Sequence, residues 1–478
     1  MSRDCGAGPA EPATEVAYDE AVTKARHVVA IALSVGLVAG LTGIAGYVSG
    51  DLGRLGRSTS VPTAARASLP DGTNQAASSL RTMDEQSARI SAARDLVSAR
   101  SKAVNTHDKS AWMATVDASG SSFGQRQSVA FDNLMKLPIG QFAYGAVQLA
   151  PALAEARVQQ LGSTAWVATV PGTYTLAGYD RAPRSFEATY TLVRRTGGWR
   201  IADDSDGATA LQMWDLPGLR VLRGRSAIVI GNAPEVRMRD YQEIADTAVR
   251  RVTGVWGTDW NAHVVVVTPS TTKEFAGLLS RPADEGLDQV AAITEGEINP
   301  DQRAQGDRVV INPKSFTALR AIGRQVVITH ELTHVATRSS TVWPVPLWLS
   351  EGLADYVGYS GLGLQRARVA SELLALVRQG KGPKALPAAD DFDPARTKIA
   401  PSYAAAWLAV SRLVDIFGQA RVVAFYRAIS DRPAVDKAVQ FDPDGVAVQA
   451  FPQSFGVSEA AFVDGWKRYM RTLALTPS

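Results

Sequence analysis

The stretches THELTHVATRSS (329–340) and PLWLSEGLADYVGYSG (346–361) decide how the rest of this 478-residue chain is read. On a helix, His330 and His334 stand one turn apart on the same face, so two imidazoles can reach one metal ion while Glu331, beside the first, reaches a water held there. A hydrolytic zinc site wants three protein ligands and an open fourth position. The chain has only 5 histidines, and those outside the motif are His27, His107 and His263. Glu351, 17 positions past His334, is the better third candidate. It falls on a second predicted helix that Pro346 can open and Gly358 can close. Asp355 follows one turn later, where its carboxylate can accept the second N–H of a ligating histidine and set its tautomer.

HELTH with WLSEGLADYV resembles the gluzincin branch of the zincin metallopeptidases, the group that includes thermolysin. The longer wording, from RVVINPKSF (308–316) to GYSG (358–361), is similar to actinobacterial membrane-anchored proteins described as peptidase MA-like. The likeness covers roughly the last 260 residues and is strongest over 305–360. It implies Zn2+ held by His330, His334 and Glu351, Asp355 supporting a histidine, and Glu331 as the general base of peptide hydrolysis. It also implies an oxyanion donor from a later helix, for which Tyr403 is the candidate. A tyrosine packing on an apolar helix is an equally good reading of that residue. Gluzincin aminopeptidases grip the substrate amine with a G-x-M-E-N loop that this chain lacks. Glu295 and Glu297 lie in TEGEINP, which reads as a turn, so an endopeptidase is expected.

Upstream of this unit the composition changes. Residues 28–48 are 21 uncharged residues, VVAIALSVGLVAGLTGIAGYV, long enough to span a bilayer. Lys24 and Arg26 precede them and place 1–27 in the cytoplasm, although Arg54 and Arg57 weaken the asymmetry. A cleaved signal peptide with a long leading segment is the alternative. Either way the sequence predicts an exported catalytic part, in a single-pass cell-membrane protein if the span is retained. Cys5, the single cysteine, precedes the span, so packing rather than a disulfide must stabilise the remainder. Residues 49–85 are rich in Gly, Ser, Ala and Pro and read as a flexible tether. A net charge of +3 gives no reason to invoke nucleic acid.

Residues 86–208 begin with helical patterns and continue with alternating strands. Their ending, YTLVRRTGGWRIADDSD (190–206), resembles the terminal hairpin of the nuclear-transport-factor and ketosteroid-isomerase type of α+β cone. Asp203, Asp204 and Asp206 read as loop acids, and His107-Asp108 as a helix-start turn. Residues 209–478 read as paired strands (217–231), a helix (236–256) and a buried strand, with His263 at its start as a structural residue. Two further strands follow before the HELTH helix. In a thermolysin-like fold such an edge strand, here 290–294, holds the substrate backbone. Amphipathic helices complete a C-terminal lobe. The expected fold is therefore α+β: an N-terminal transmembrane helix, a cone, and a zincin-like domain with an α/β upper part and a helical lobe. The expected function is a membrane-anchored, extracytoplasmic zinc peptidase acting on a peptide or protein. The alternatives are an inactive zincin-fold sensor or scaffold whose middle domain binds a partner, and a cone that binds a small apolar ligand.

Overall fold

The computed structural model describes residues 72–475, apart from 118–120, 208–209, 282–286, 288–289, 297–303, 305, 394–398 and 432–441. The first described element is helix α1 (Gly72–Asn105), which begins inside the stretch expected as a tether. It is followed by α2 (Lys109–Met113) and α3 (Ser121–Leu134). Asp108 caps α2 by accepting from the Ala111 N–H, as the helix-start reading of His107-Asp108 required.

Strands β1 (Ile139–Tyr144), β2 (Gln148–Leu149), β3 (Trp166–Leu176), β4 (Arg184–Arg195) and β5 (Gly198–Asp203), with the short helix α4 (Glu155–Leu161), form an antiparallel sheet of order β1-β3-β4-β5, β2 pairing with β3. The side chains buried on this sheet include an aromatic cluster. Phe142, Tyr144, Tyr174 and Phe186 meet at centroid distances of 5.3–6.2 Å, and Trp214, from the 3-10 turn Met213–Asp215, packs edge-on against Phe142, Tyr174 and Phe186. Asp203, Asp204 and Asp206 are not free acids. Arg126 and Arg157 pair with them and tie α3 and α4 to the sheet.

A second sheet contains β6 (Arg220–Arg223), β7 (Ala227–Gly231), β8 (Val264–Thr268), β9 (Ala292–Glu295) and β10 (Arg308–Ile311) in the order β6-β7-β8-β10-β9. The central pairs are parallel, while β6 and the edge strand β9 run antiparallel. Continuous apolar runs such as VVVV in β8 suit strands covered on both faces. Helix α5 (Glu235–Trp256) buries Met238, Tyr241, Ala245, Ala248, Val249, Val252 and Trp256, an i, i+3, i+4, i+7 stripe. Between the sheets and the C-terminal helices run α6 (Thr272–Leu278), α7 (Pro313–Thr317), α8 (Ala321–Ser340), α9 (Leu347–Tyr359), α10 (Arg366–Val369) and α11 (Ser371–Arg378). Helices α12 (Ala400–Phe417), α13 (Gln419–Ser430), α14 (Pro443–Phe455) and α15 (Glu459–Leu475) complete the helical part. One apolar core runs through both sheets and these helices, from Ala93 to Ala474.

The expected transmembrane helix is corrected. No described helix is long and apolar enough to cross a membrane, and 28–48 lies outside the described residues. The longest described helix, α1, carries Arg81, Asp84, Glu85, Arg89, Arg94 and Asp95, charges that a bilayer core does not accept. The single-pass membrane location built on that span is withdrawn with it, and the described architecture is a mixed α+β protein.

Asp246 on α5 holds the turn between β6 and β7. Its carboxylate accepts the backbone N–H groups of Arg225, Ser226 and Ala227 at 2.8–2.9 Å and the Gln242 amide at 2.7 Å. Burial pushes its pKa up, but these hydrogen bonds win and hold it below the ordinary carboxylate value. Asp246→Ala should lower the unfolding free energy by about 1–3 kcal/mol in urea titrations at neutral pH. Because the folded-state pKa is depressed, this stabilisation is present above the unfolded carboxylate value and is lost as pH falls through the depressed one.

Candidate metal centre

Helix α8 is buried on every side from Val326 to Thr337. Such a helix must sit at the centre of its domain, and the polar groups it carries need internal partners. Arg338, one residue beyond this stretch, pairs with Asp307 at 2.8 Å. Helix α9 returns after a short connection in which the Trp343 N–H donates to the Ser430 carbonyl at 3.0 Å. Pro346 occupies its N-cap position. Gly352 lets α9 approach α12, since a Cβ there would lie 2.5 Å from the Ala406 carbonyl oxygen. The neighbouring Glu351 is thereby aimed at α8.

His330, His334 and Glu351 form a buried group that could hold a metal ion, their ligand atoms all lying within 4.8 Å of one another. The two Nε2 atoms are 3.0 Å apart, and Glu351 Oε2 lies 3.2 Å from His330 Nε2 and 3.5 Å from His334 Nε2. Four ligands at zinc bond lengths on a tetrahedron stand about 3.3 Å apart, so the donor set matches the edges of such a site. In the absence of a metal one proton can be shared between the two Nε2 atoms; a metal ion would take its place. Asp355 accepts from His330 Nδ1 at 2.9 Å, which leaves Nε2 as the ligating nitrogen.

The electrostatics agree with this geometry. Burial lowers the His330 pKa, but the hydrogen bonds and charges of Asp355 and Glu351 outweigh it and hold the imidazole well above its ordinary value. Glu351 is pushed up by burial and pulled down more strongly by His334 and His330, to about 2. Glu331 lies with its pKa raised, burial exceeding the opposing effects of the two histidines and Thr294. Its Oε2 accepts from the Thr294 hydroxyl at 2.6 Å, while its buried Oε1 has no hydrogen-bond partner among the described residues.

Each residue singled out in the sequence can now be located. His330, Glu331, His334, Glu351 and Asp355 come together. Tyr403 is buried on α12 with its ring edge-on to Phe392 at 5.1 Å. Burial, then the charges of Glu351, Asp355 and Glu331, push its phenol well above the usual value. It shares with Asp355, Tyr359, Leu373 and Trp407 the wall of a small, partly open cavity. His263 is not in the group; it packs edge-on to Tyr179. Glu295 is paired with Arg184, and Glu297 lies outside the described residues. Thr294 was invisible as a partner of Glu331, because the contact joins residues 37 apart and no local pattern marks it.

Residues 94–205 match the family described as SnoaL-like domain. The match covers the cone and stops short of the metal centre. No curated protein matches the chain. Among solved structures, native yeast LTA4 hydrolase is similar at 14% identity with a TM-score of 0.31, over 60% of this chain and 44% of that one. The chain thus spans less than half of that protein's length.

Two outcomes are expected. Metal binding must expel a proton from the raised-pKa His330 site, so affinity for Zn2+ should rise with pH through that value, with proton release visible as buffer-dependent heats in calorimetry. Gly352→Val should force α9 off α12 and cost about 1–3 kcal/mol of stability together with metal affinity, read by denaturation and by metal content after dialysis.

Proposed function

We propose that the protein is a zinc-dependent peptidase of the gluzincin type that hydrolyses internal peptide bonds of a peptide or protein substrate. In this reading 209–478 form the peptidase unit and 86–208 a separate cone. The observation that carries it is Glu331: a buried carboxylate beside three converging metal donors, with one oxygen held by Thr294 and the other without a partner among the described residues. Metal binding alone does not call for that residue.

His330, His334 and Glu351 would hold the zinc, and Asp355 would keep His330 in the ligating tautomer. Bound zinc would supply Lewis acidity, polarising the scissile carbonyl and making a water acidic near neutrality. Glu331 Oε1 takes the proton of the attacking water and later delivers it to the leaving amine. Its raised pKa brings it closer to neutrality, where a group that must both take and give a proton works best. Tyr403 is proposed as the donor to the developing oxyanion, on the strength of its place beside Asp355 in the cavity wall. Edge strand β9 would pair with the substrate backbone along its open side. The engagement of Glu295 by Arg184 leaves it unsuited to gripping a free amine, which supports endopeptidase action.

The test uses the full chain, assayed for bound zinc by mass spectrometry and for cleavage of casein and a peptide library. Glu331→Gln should keep its zinc and lose about 10²–10⁴-fold in kcat. Glu351→Ala should lose stoichiometric zinc, and Asp355→Ala should bind it about 10–100-fold more weakly. Stoichiometric zinc without cleavage of any library member would sink the peptidase reading in favour of a silent scaffold.

A further inference from the structure

The inner face of the cone sheet is packed by side chains of the cone and of the residues that follow it. Trp214 seals the aromatic cluster of Phe142, Tyr174 and Phe186 and is itself 5% exposed. Arg100, 1% exposed, stacks 3.4 Å over Trp112 and donates to Thr115 and Gln127. The β3–β4 turn of this sheet reaches out to the second sheet. Asp180 accepts both Arg308 NH groups at 2.6 and 2.7 Å, with the two side chains 0% and 3% exposed. Arg184 pairs with the Glu295 carboxylate and donates to the Gly306 carbonyl at 3.0 Å. The Tyr179 carbonyl accepts from the Asn261 amide at 2.5 Å.

Arg308 and Glu295 are register partners across β10 and β9, so Asp180 and Arg184 grip one rung from both strands. The next rung pairs Val309 with Thr294, and Thr294 is the residue whose hydroxyl binds Glu331 Oε2. A single hydroxyl proton facing both the Glu331 backbone carbonyl at 3.1 Å and its carboxylate at 2.6 Å goes to the shorter, charged acceptor. With Oε2 so held, Oε1 is left to face the reaction. We propose that the cone is a positioning module, whose Asp180 and Arg184 fix the β9–β10 rung from which Thr294 orients the Glu331 carboxylate. The catalytic consequence rests on the peptidase reading above; the mechanical linkage does not.

The full chain is compared with Arg184→Met, Glu295→Gln, Thr294→Val, Thr294→Ser and the Arg184→Met/Thr294→Val pair, each loaded with zinc. Thr294→Val should lose on the order of tenfold to a hundredfold in kcat with KM and zinc content unchanged, and Thr294→Ser, which keeps the hydroxyl, should recover most of it. Arg184→Met and Glu295→Gln should shift kcat the same way and speed amide hydrogen exchange at 292–295 severalfold. The double variant should fall no further than Thr294→Val alone, because both act on one carboxylate. Wild-type kcat and exchange in Glu295→Gln, or losses that multiply in the double variant, would overturn the proposal. Should Arg184→Met fail to fold, Glu295→Gln removes the same pair from its more exposed side and decides alone. If wild-type protein carries zinc and cleaves nothing, the peptidase reading fails instead. The exchange arm, which needs no turnover, then supports the linkage if exchange quickens at 292–295 and 329–333 and refutes it if it does not.

Discussion

Five titratable side chains, His330, Glu331, His334, Glu351 and Asp355, lie 0–3% exposed around one helix, and everything else in the second half of the chain accommodates that burial. Isolated charges in such a place would be neutralised by shifts of pKa or would unfold the protein. Here acids and imidazoles alternate: Asp355 faces His330 Nδ1, and Glu351 faces both Nε2 atoms. Three carboxyl groups against two imidazoles leave the set acidic, and two imidazole Nε2 atoms and a carboxylate oxygen converge on one spot, which is the donor arrangement a divalent cation satisfies.

That centre is assembled from elements that would drift apart without close packing. Gly352 removes the side chain that would separate α9 from α12, and the contact of Ser430 with Trp343 anchors the connection between α8 and α9. On the opposite side β9 touches the centre through Thr294, and among the described strands β9 is an edge strand with one neighbour, β10. An edge strand supported on one side only is the least constrained part of a sheet. The buried Asp180–Arg308 pair and the Arg184–Glu295 pair supply a second attachment from the cone. A buried ion pair contributes little net stability against an apolar replacement, but it demands a particular register, and register is what this junction needs.

Much of this was legible from short-range pattern. The helices bearing His330, Glu331, His334 and Glu351 follow from periodicity and from Pro346, and the order of strands before them follows from their apolar runs. The aspartates 203, 204 and 206 show the limit of such reading. They resemble solvated loop acids in the sequence, whereas in the fold Arg126 and Arg157 neutralise them across separations of 46 to 78 residues. Thr294 and Arg184 are ordinary strand residues by type, and only the pairing of β9 with β10 and the reach of the β3–β4 turn give them their positions. The 28–48 stretch is a reminder that apolar length licenses a membrane helix without placing one.

By itself the sequence determined the chemistry on offer: two histidines at i and i+4 with a glutamate between them, and a second helix carrying Glu351 and Asp355, because helical spacing is a local property of the backbone. Tertiary structure decided that these two helices meet, that Asp355 rather than solvent holds His330, that Glu295 is engaged by Arg184, and that Glu331 is held from an edge strand. Those outcomes depend on contacts between residues far apart in the chain, set by how sheets and helices pack around one core, and no window of the sequence contains them.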